Sequence, residues 1–225
     1  MQNVFNYFSM QDDSTIFSTA YFPPIEYLLF FVRAEFPCVE AKENLLKQSY
    51  RNRCLIATAN GVQRLSIPVS RKGLHHCPLE QIYLDYSQPW QRNHWRALET
   101  AYNASPFFPF YRDYFEPFFV QQEIETLLEF NQKLFNTLLK LFGIDKPYCY
   151  TERYIENYPT ATLDLRNEIH PKRMLQENYP YRLQTPYRQV FSAQHGFIPN
   201  LSCIDLLFNE GRYAIDYLND IPLNL

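Results

Sequence analysis

Glycine is scarce in this chain, with 5 among 225 residues, and so are methionine (3) and tryptophan (2). No Gly-x-Gly-x-x-Gly run, phosphate-binding P-loop, Gly-x-Ser-x-Gly elbow or His-Glu-x-x-His pair occurs. Each of those motifs sets backbone amides, a nucleophile or metal ligands at a fixed spacing, so their absence removes several large enzyme classes. Cysteine is thin and odd in number. Cys38, Cys54, Cys77, Cys149 and Cys203 stand far apart, with no Cys-x-x-Cys pair. Neither a zinc ribbon nor a redox dithiol is indicated, and reduced, buried thiols are expected. Three adjacent residues such as His75-His76-Cys77 cannot all point at one ion, so no metal and no cofactor are expected.

Charge of one sign is lacking as well. There is no block of lysines and arginines, and the formal net charge is −3. No overall field therefore favours nucleic acid. The longest apolar run, over 27–32, falls far short of the roughly 20 residues that span a bilayer. The opening residues lack the basic-then-apolar pattern of a secretory signal. A cytoplasmic protein with no membrane span and no nucleic-acid partner is expected.

Aromatic residues are what the chain has in plenty, with 19 Phe and 18 Tyr. Most of these rings are expected to fill a core, and tyrosine's polar tip also suits a half-wet cleft. With 46% hydrophobic residues, a single well-packed domain is expected over 15–225, after a loose lead-in at 1–14. A strand is predicted over 16–22, stopped by Pro23-Pro24. A helix follows over 25–33, because proline is tolerated in a helix's first turn. Further strands are predicted at 38–41 and 79–85, with a hairpin between them over 53–69.

From Trp90 to Phe142 the period is helical, broken by a proline- and phenylalanine-rich elbow at 105–110. The last helix of this block, over 121–142, ends at Gly143. Residues 148–190 read as short strands and loops. Ser202 and Asp205 are spaced as a variant capping box for a helix over 203–209, which Gly211 ends before a short helix over 212–218. Strands interleaved with helices make this an α/β chain, with a mixed sheet, an antiparallel hairpin, a helical middle block and a C-terminal helix.

Asn60-Gly61, between two β-prone runs, is a strong hairpin signal, because both residues of such a turn adopt positive φ. A two-residue turn there pairs Ile56 with Leu65 and Cys54 with Ile67 on an apolar face. On the other face Leu55 opposes Ser66, Ala57 opposes Arg64 and Arg53 opposes Pro68, with Arg51 two residues beyond. The period of two thus gathers Arg51, Arg53 and Arg64 on one side of a ribbon, with Asn52 between the first two. Guanidinium forks on a stiff scaffold suit phosphates or carboxylates. Two readings stay open: a seat for an anionic ligand, or arginines paired with acids elsewhere in the domain.

Other residues could supply acid–base chemistry. Trp90, His94, Leu98 and Tyr102 share one face of a predicted helix, where aromatic surroundings would keep His94 neutral and able to accept a proton. The alternative is a core histidine satisfied by one hydrogen bond. If residues 164–170 are extended, Asp164, Arg166, Glu168 and His170 line one side, as an acid–base site or as a solvated edge. His195 precedes a helix start whose free amides could seat an anion, unless Asn200 or Ser202 merely caps it.

Several ordered pieces resemble the WbqC-like family. They are Ala20-Tyr21-Phe22-Pro23-Pro24, Lys47-Gln48-Ser49-Tyr50-Arg51-Asn52-Arg53, Asn60-Gly61 with Leu65-Ser66-Ile67-Pro68-Val69, and then Trp90 and His94. Ala101-Tyr102-Asn103-Ala104-Ser105-Pro106 and the tail Ile198-Pro199-Asn200-Leu201-Ser202 continue the series. The chain departs from longer members at Ser18-Thr19-Ala20, where Gln-Pro is usual, and in a shortened stretch before the tail. The resemblance implies a place in bacterial surface-polysaccharide (O-antigen) biosynthesis, as a transferase attaching an amino acid such as glycine to an activated sugar. His94 and His170 are then the candidates for proton transfer. Arg51, Asn52, Arg53, Arg64, Trp90 and Tyr102 are the candidates for binding an anionic partner such as a sugar-nucleotide or phosphosugar. The alternative is a non-catalytic module that binds a glycan precursor or an assembly partner.

Overall fold

The computed structural model describes residues 13–70, 77–123, 125–173, 176, 179, 183 and 185–222. His75 and His76, and most of the expected lead-in, lie outside them. Strand β1 (Ser14–Ser18) starts two residues before its predicted position. Pro23-Pro24 then turns the chain into helix α1 (Ile25–Arg33), whose bounds match the sequence reading. Strand β2 (Phe36–Glu40) follows, and next the ribbon of β3 (Arg53–Thr58) and β4 (Gly61–Ser66). Two-residue strands β5 (Val69–Ser70) and β6 (Tyr83–Leu84) pair with each other. The strand predicted at 79–85 is mostly replaced by a 3-10 turn at Leu79–Gln81, which the Leu79 N–H fixes by donating to Glu43 O.

The middle block is helical: α2 (Trp90–Tyr102), α3 (Phe108–Phe115), α4 (Pro117–Val120) and α5 (Leu127–Phe142). Helix α5 begins later than predicted because Thr126 and Glu129 form a capping box there, satisfying two otherwise orphaned donors. It ends at Gly143, whose φ of +70° closes the last turn without a side-chain penalty. Strands β7 (Cys149–Tyr150) and β8 (Leu163–Asp164) come next. The chain closes with α6 (Ser192–His195), α7 (Cys203–Glu210) and α8 (Ala214–Asp220). The capping box expected from Ser202 and Asp205 does not form. The Ser202 hydroxyl donates instead to Phe22 O, and the Asp205 carboxylate turns inward to Tyr102 and Tyr187.

The expected mixture of strand directions is present but falls in separate sheets. The four-stranded sheet runs β7-β2-β1-β8 with every neighbour parallel, and the ribbon β3-β4 is antiparallel. Parallel neighbours need a crossover, which α1 supplies between β1 and β2. The hairpin register is displaced by two residues from the predicted one. Leu65 faces Cys54 and Arg64 faces Leu55, because pairing closes at Thr58–Gly61 and the turn centres on Ala59-Asn60. Gly61 takes φ +96° while Asn60 stays out of the left-handed region, and the Thr58 hydroxyl braces the turn by donating to Gly61 O. A shift of two residues leaves every side chain on its predicted face.

Two cysteines overturn the expectation of five reduced thiols. Cys38 and Cys149 are partners in the β2–β7 register and are joined as a disulfide, while Cys54, Cys77 and Cys203 remain thiols and are buried.

One buried carboxylate makes a test of the packing. Glu26, fully enclosed at the start of α1, accepts from the Tyr179 hydroxyl at 2.6 Å, and burial pushes its carboxyl up from 4.5 to about 7. Between those values the folded chain holds a proton that the unfolded chain has released, so stability falls as pH rises across that window. Glu26→Gln removes the group without changing its shape. The variant is expected to gain about 3 kcal/mol over the parent between pH 5 and pH 8. Denaturant melts at both values measure this, and parallel pH dependence in parent and variant would refute it.

Candidate functional site

In open parallel sheets, ligands bind beyond the carboxyl ends of the strands, at the point where the strand order reverses. Here β1 connects through α1 to β2 on one side, while β8 joins β1 from the other side much later in the chain. The reversal therefore lies between β1 and β8. A small recess opens there, lined by Ser18 at the end of β1 and Thr19 just past it, Leu165 and Ile169 past β8, and Tyr27, Tyr50 and Arg51. Its volume, about 10 Å³, admits a single water-sized group.

The usual anion seat at a βα turn is occupied by the protein itself. The first amides of α1 are all taken: Ile25 N–H donates to Leu201 O, Glu26 N–H to the Asn200 side chain and Tyr27 N–H to Pro24 O. Charge at this edge comes from side chains instead. Arg51 is buried and ion-paired with buried Glu43, and Asn131 holds the Arg51 carbonyl with a 2.8 Å hydrogen bond. The Ser18 hydroxyl donates to Arg166 O at 2.9 Å and lies 3.4 Å from Glu43 Oε2. Burial pushes the Glu43 carboxyl up, and Arg51 opposes that shift.

Arg166 is the second buried strut. It bonds Asp164 at 2.6 and 2.9 Å and Glu40 at 3.2 Å, and lies against the Tyr158 and Tyr154 rings. The Thr151 hydroxyl, just past β7, completes the group by donating to Glu40. Carboxyl ends of all four strands thus carry charged or hydroxyl side chains. The extended acid–base row expected at 164–170 is absent, because Leu165 to Ile169 curls into a turn closed by Ile169 N–H to Leu165 O. That curl separates Arg166, in the interior, from Glu168, which pairs with Arg173 at the surface.

The arginine cluster survives in part. Arg53 and Arg64 share one face of the ribbon, and their mutual repulsion adds to burial in lowering the Arg53 pKa. Arg51 precedes the strand and turns inward to Glu43, so it leaves the face on which the sequence pattern set it. His170 joins the group: burial lowers its pKa, and Arg51, Lys172 and Arg53 lower it further. Arg53 and Arg64 have no carboxylate partner among the described residues, and Arg53 Nε is buried without a hydrogen bond. Asn52 is engaged structurally, donating to Ile67 O.

The remaining candidates lie elsewhere. His94 is 6% exposed, stacked on Tyr21, edge-on to Trp90, and 2.9 Å from the Tyr21 hydroxyl. Burial brings its pKa down to about 4, so it is neutral as expected, but it lines neither the recess nor the basic face. Trp90 packs on Phe130, and Tyr102 donates to Asp205 at 2.9 Å beneath α7. His195 Nε2 donates to the carbonyls of Thr58 and Ala59 at the ribbon tip. Sequence reading missed Ser18, Thr19, Glu40, Glu43 and Arg166 as a group. The signal available was a nine-residue helix between two strands, which implies a parallel pair and so a site just after each strand.

A curated relative, "Uncharacterized protein Rv1507c" of Mycobacterium tuberculosis (strain ATCC 25618 / H37Rv), is 29% identical over 195 residues, covering 76% of this chain and 82% of its own. No solved structure matches the chain. The WbqC-like protein family matches residues 19–180, which run from just after β1 through the ribbon, the helical block and β8, and the chain belongs to that family.

Proposed function

We propose that this chain binds a phosphorylated or nucleotide-activated sugar at the carboxyl edge of its parallel sheet and transfers an amino acid to it in surface-polysaccharide assembly. The observation that carries the reading is the convergence of Arg53, Arg64 and His170 without a carboxylate partner among the described residues. The Arg53 and Arg64 guanidiniums repel one another, and an anionic ligand relieves that repulsion while using their forks bidentately. In this scheme Arg53 and Arg64 grip phosphate. His170, its pKa lowered by burial and by neighbouring cations, takes the proton of the attacking sugar hydroxyl or amine at Nδ1, which otherwise accepts from Lys172 N–H, while the new bond to the aminoacyl carbonyl displaces the carrier of an activated aminoacyl donor. The recess at Ser18 and Thr19 orients one small polar group of the ligand.

A second reading, a binding module without catalysis, is favoured by the size of that recess, which admits only a water-sized group. The two are separable. Thermal shift with sugar-nucleotides and sugar phosphates should show stabilisation of about 2.7 kcal/mol at hundredfold saturation. The Arg53→Met/Arg64→Met double variant should fold normally yet bind about a hundredfold more weakly, since each lost charge-assisted contact costs about 1.5–3 kcal/mol. His170→Gln should keep binding while abolishing transfer in the enzyme reading, and change neither in the module reading. Absence of any phosphate-dependent stabilisation of the parent would remove both.

A further inference from the structure

Side chains of α4, α5 and the segment joining them border a half-open cavity of about 420 Å³ that shares no lining residue with the recess at the sheet edge. That volume lies in the range of small-molecule sites. Its floor is apolar, formed by Phe118 and Phe130, whose rings meet edge-to-face at 5.9 Å. Its wall is held in place: Gln91, buried on α2, donates to Phe118 O at 2.8 Å and Gln121 O at 2.6 Å.

The polar groups of this cavity do not balance. Glu123 and Glu125 both face a single ammonium, Lys133 Nζ, at 2.5 and 2.9 Å. Glu129, held in the α5 capping box, adds a third carboxylate near Glu125. Glu125 is 8% exposed, and its buried Oε2 makes the ion contact with Lys133 but no hydrogen bond of good geometry. Burial raises the Glu125 carboxyl, and the neighbouring carboxylates raise it further against the pull of Lys133. Lys133, 43% exposed at its side chain, is shared between the two carboxylates. What the cavity lacks is a second cation next to an apolar floor.

We propose that this cavity binds a ligand carrying a primary ammonium group on an apolar body, the ammonium between Glu123 and Glu125 and the body against Phe118 and Phe130. An anion is excluded by the net negative wall, and a neutral analogue leaves the two carboxylates sharing the single Lys133 ammonium. The site is independent of the basic face of the ribbon.

Three compounds of one skeleton test it on the full chain: 2-phenylethylamine, 2-phenylethanol and phenylacetate, followed by calorimetric titration and thermal shift. The amine should bind at least tenfold more tightly than the alcohol, and phenylacetate should not bind. Glu125→Gln should weaken the amine at least tenfold, and Glu123→Gln, at an exposed position that folding tolerates, should weaken it severalfold. Arg53→Met/Arg64→Met should leave amine binding unchanged, which separates this site from the sugar-phosphate reading. Equal binding of the three compounds, no binding of the amine at 10 mM (roughly a 2.7 kcal/mol ceiling on affinity), or indifference to both glutamate variants would overturn the proposal.

Discussion

Replacing Arg51 with methionine should lower the melting temperature by about 10 °C, the equivalent of about 3–5 kcal/mol for a chain of this size. Arg51 is 3% exposed and its partner Glu43 is 4% exposed. Burial already pushes the Glu43 carboxyl up, and the guanidinium and the Ser18 hydroxyl are what hold it down. Methionine keeps the aliphatic bulk but leaves a carboxyl in the interior without its cation. The same substitution at Arg53, which is half-buried and has no acidic partner among the described residues, should change stability by less than about 1 kcal/mol. Thermal melts of the two variants distinguish a strut from a ligand contact. A double-mutant cycle with Glu43→Gln should return part of the loss, because the pair acts as a unit. Equal melting temperatures for Arg51→Met and Arg53→Met would contradict this assignment.

The second large effect concerns Cys38 and Cys149, which lie 111 residues apart in sequence. A bond closing a loop of that length removes conformational freedom from the unfolded chain worth about 5 kcal/mol. Reduction, or the Cys38→Ala/Cys149→Ala variant, should therefore lower stability by an amount similar to Arg51→Met. The structural consequence is local. Strand β7 has two residues and, among the described residues, pairs with β2 alone, and just beyond it Thr151 bonds Glu40 and the Ala41 N–H. Hydrogen exchange at 149–151 should rise on reduction, while α5 stays protected. Thiol titration of the denatured, unreduced protein gives three free thiols if the bond is present. Five would refute it.

Local sequence determined a good part of this protein. Pro24 and Arg33 bound α1 because proline fits a first helical turn and the chain turns extended at once after Ala34. Gly143 and Gly211 end helices because each takes a positive φ that other residues resist. Period two kept Arg53 and Arg64 on one ribbon face even though the register moved by two residues. Apolar neighbours on one helix face were enough to foresee a neutral His94.

Other features came only with the tertiary structure. Arg51 belonged to the ribbon by its spacing, yet the chain turns before β3 and hands it to Glu43. Arg166 sits 126 residues from Glu40, and Cys38 sits 111 from Cys149, so no local period links either pair. The parallel register of β7, β2, β1 and β8 makes them neighbours, with β1 and β2 buried along most of their length. Short-range torsional and patterning preferences write element ends and faces into neighbouring residues. Which charged group is buried, and against which partner, depends on desolvation over the whole interior, and that exists only once the distant strands have come together.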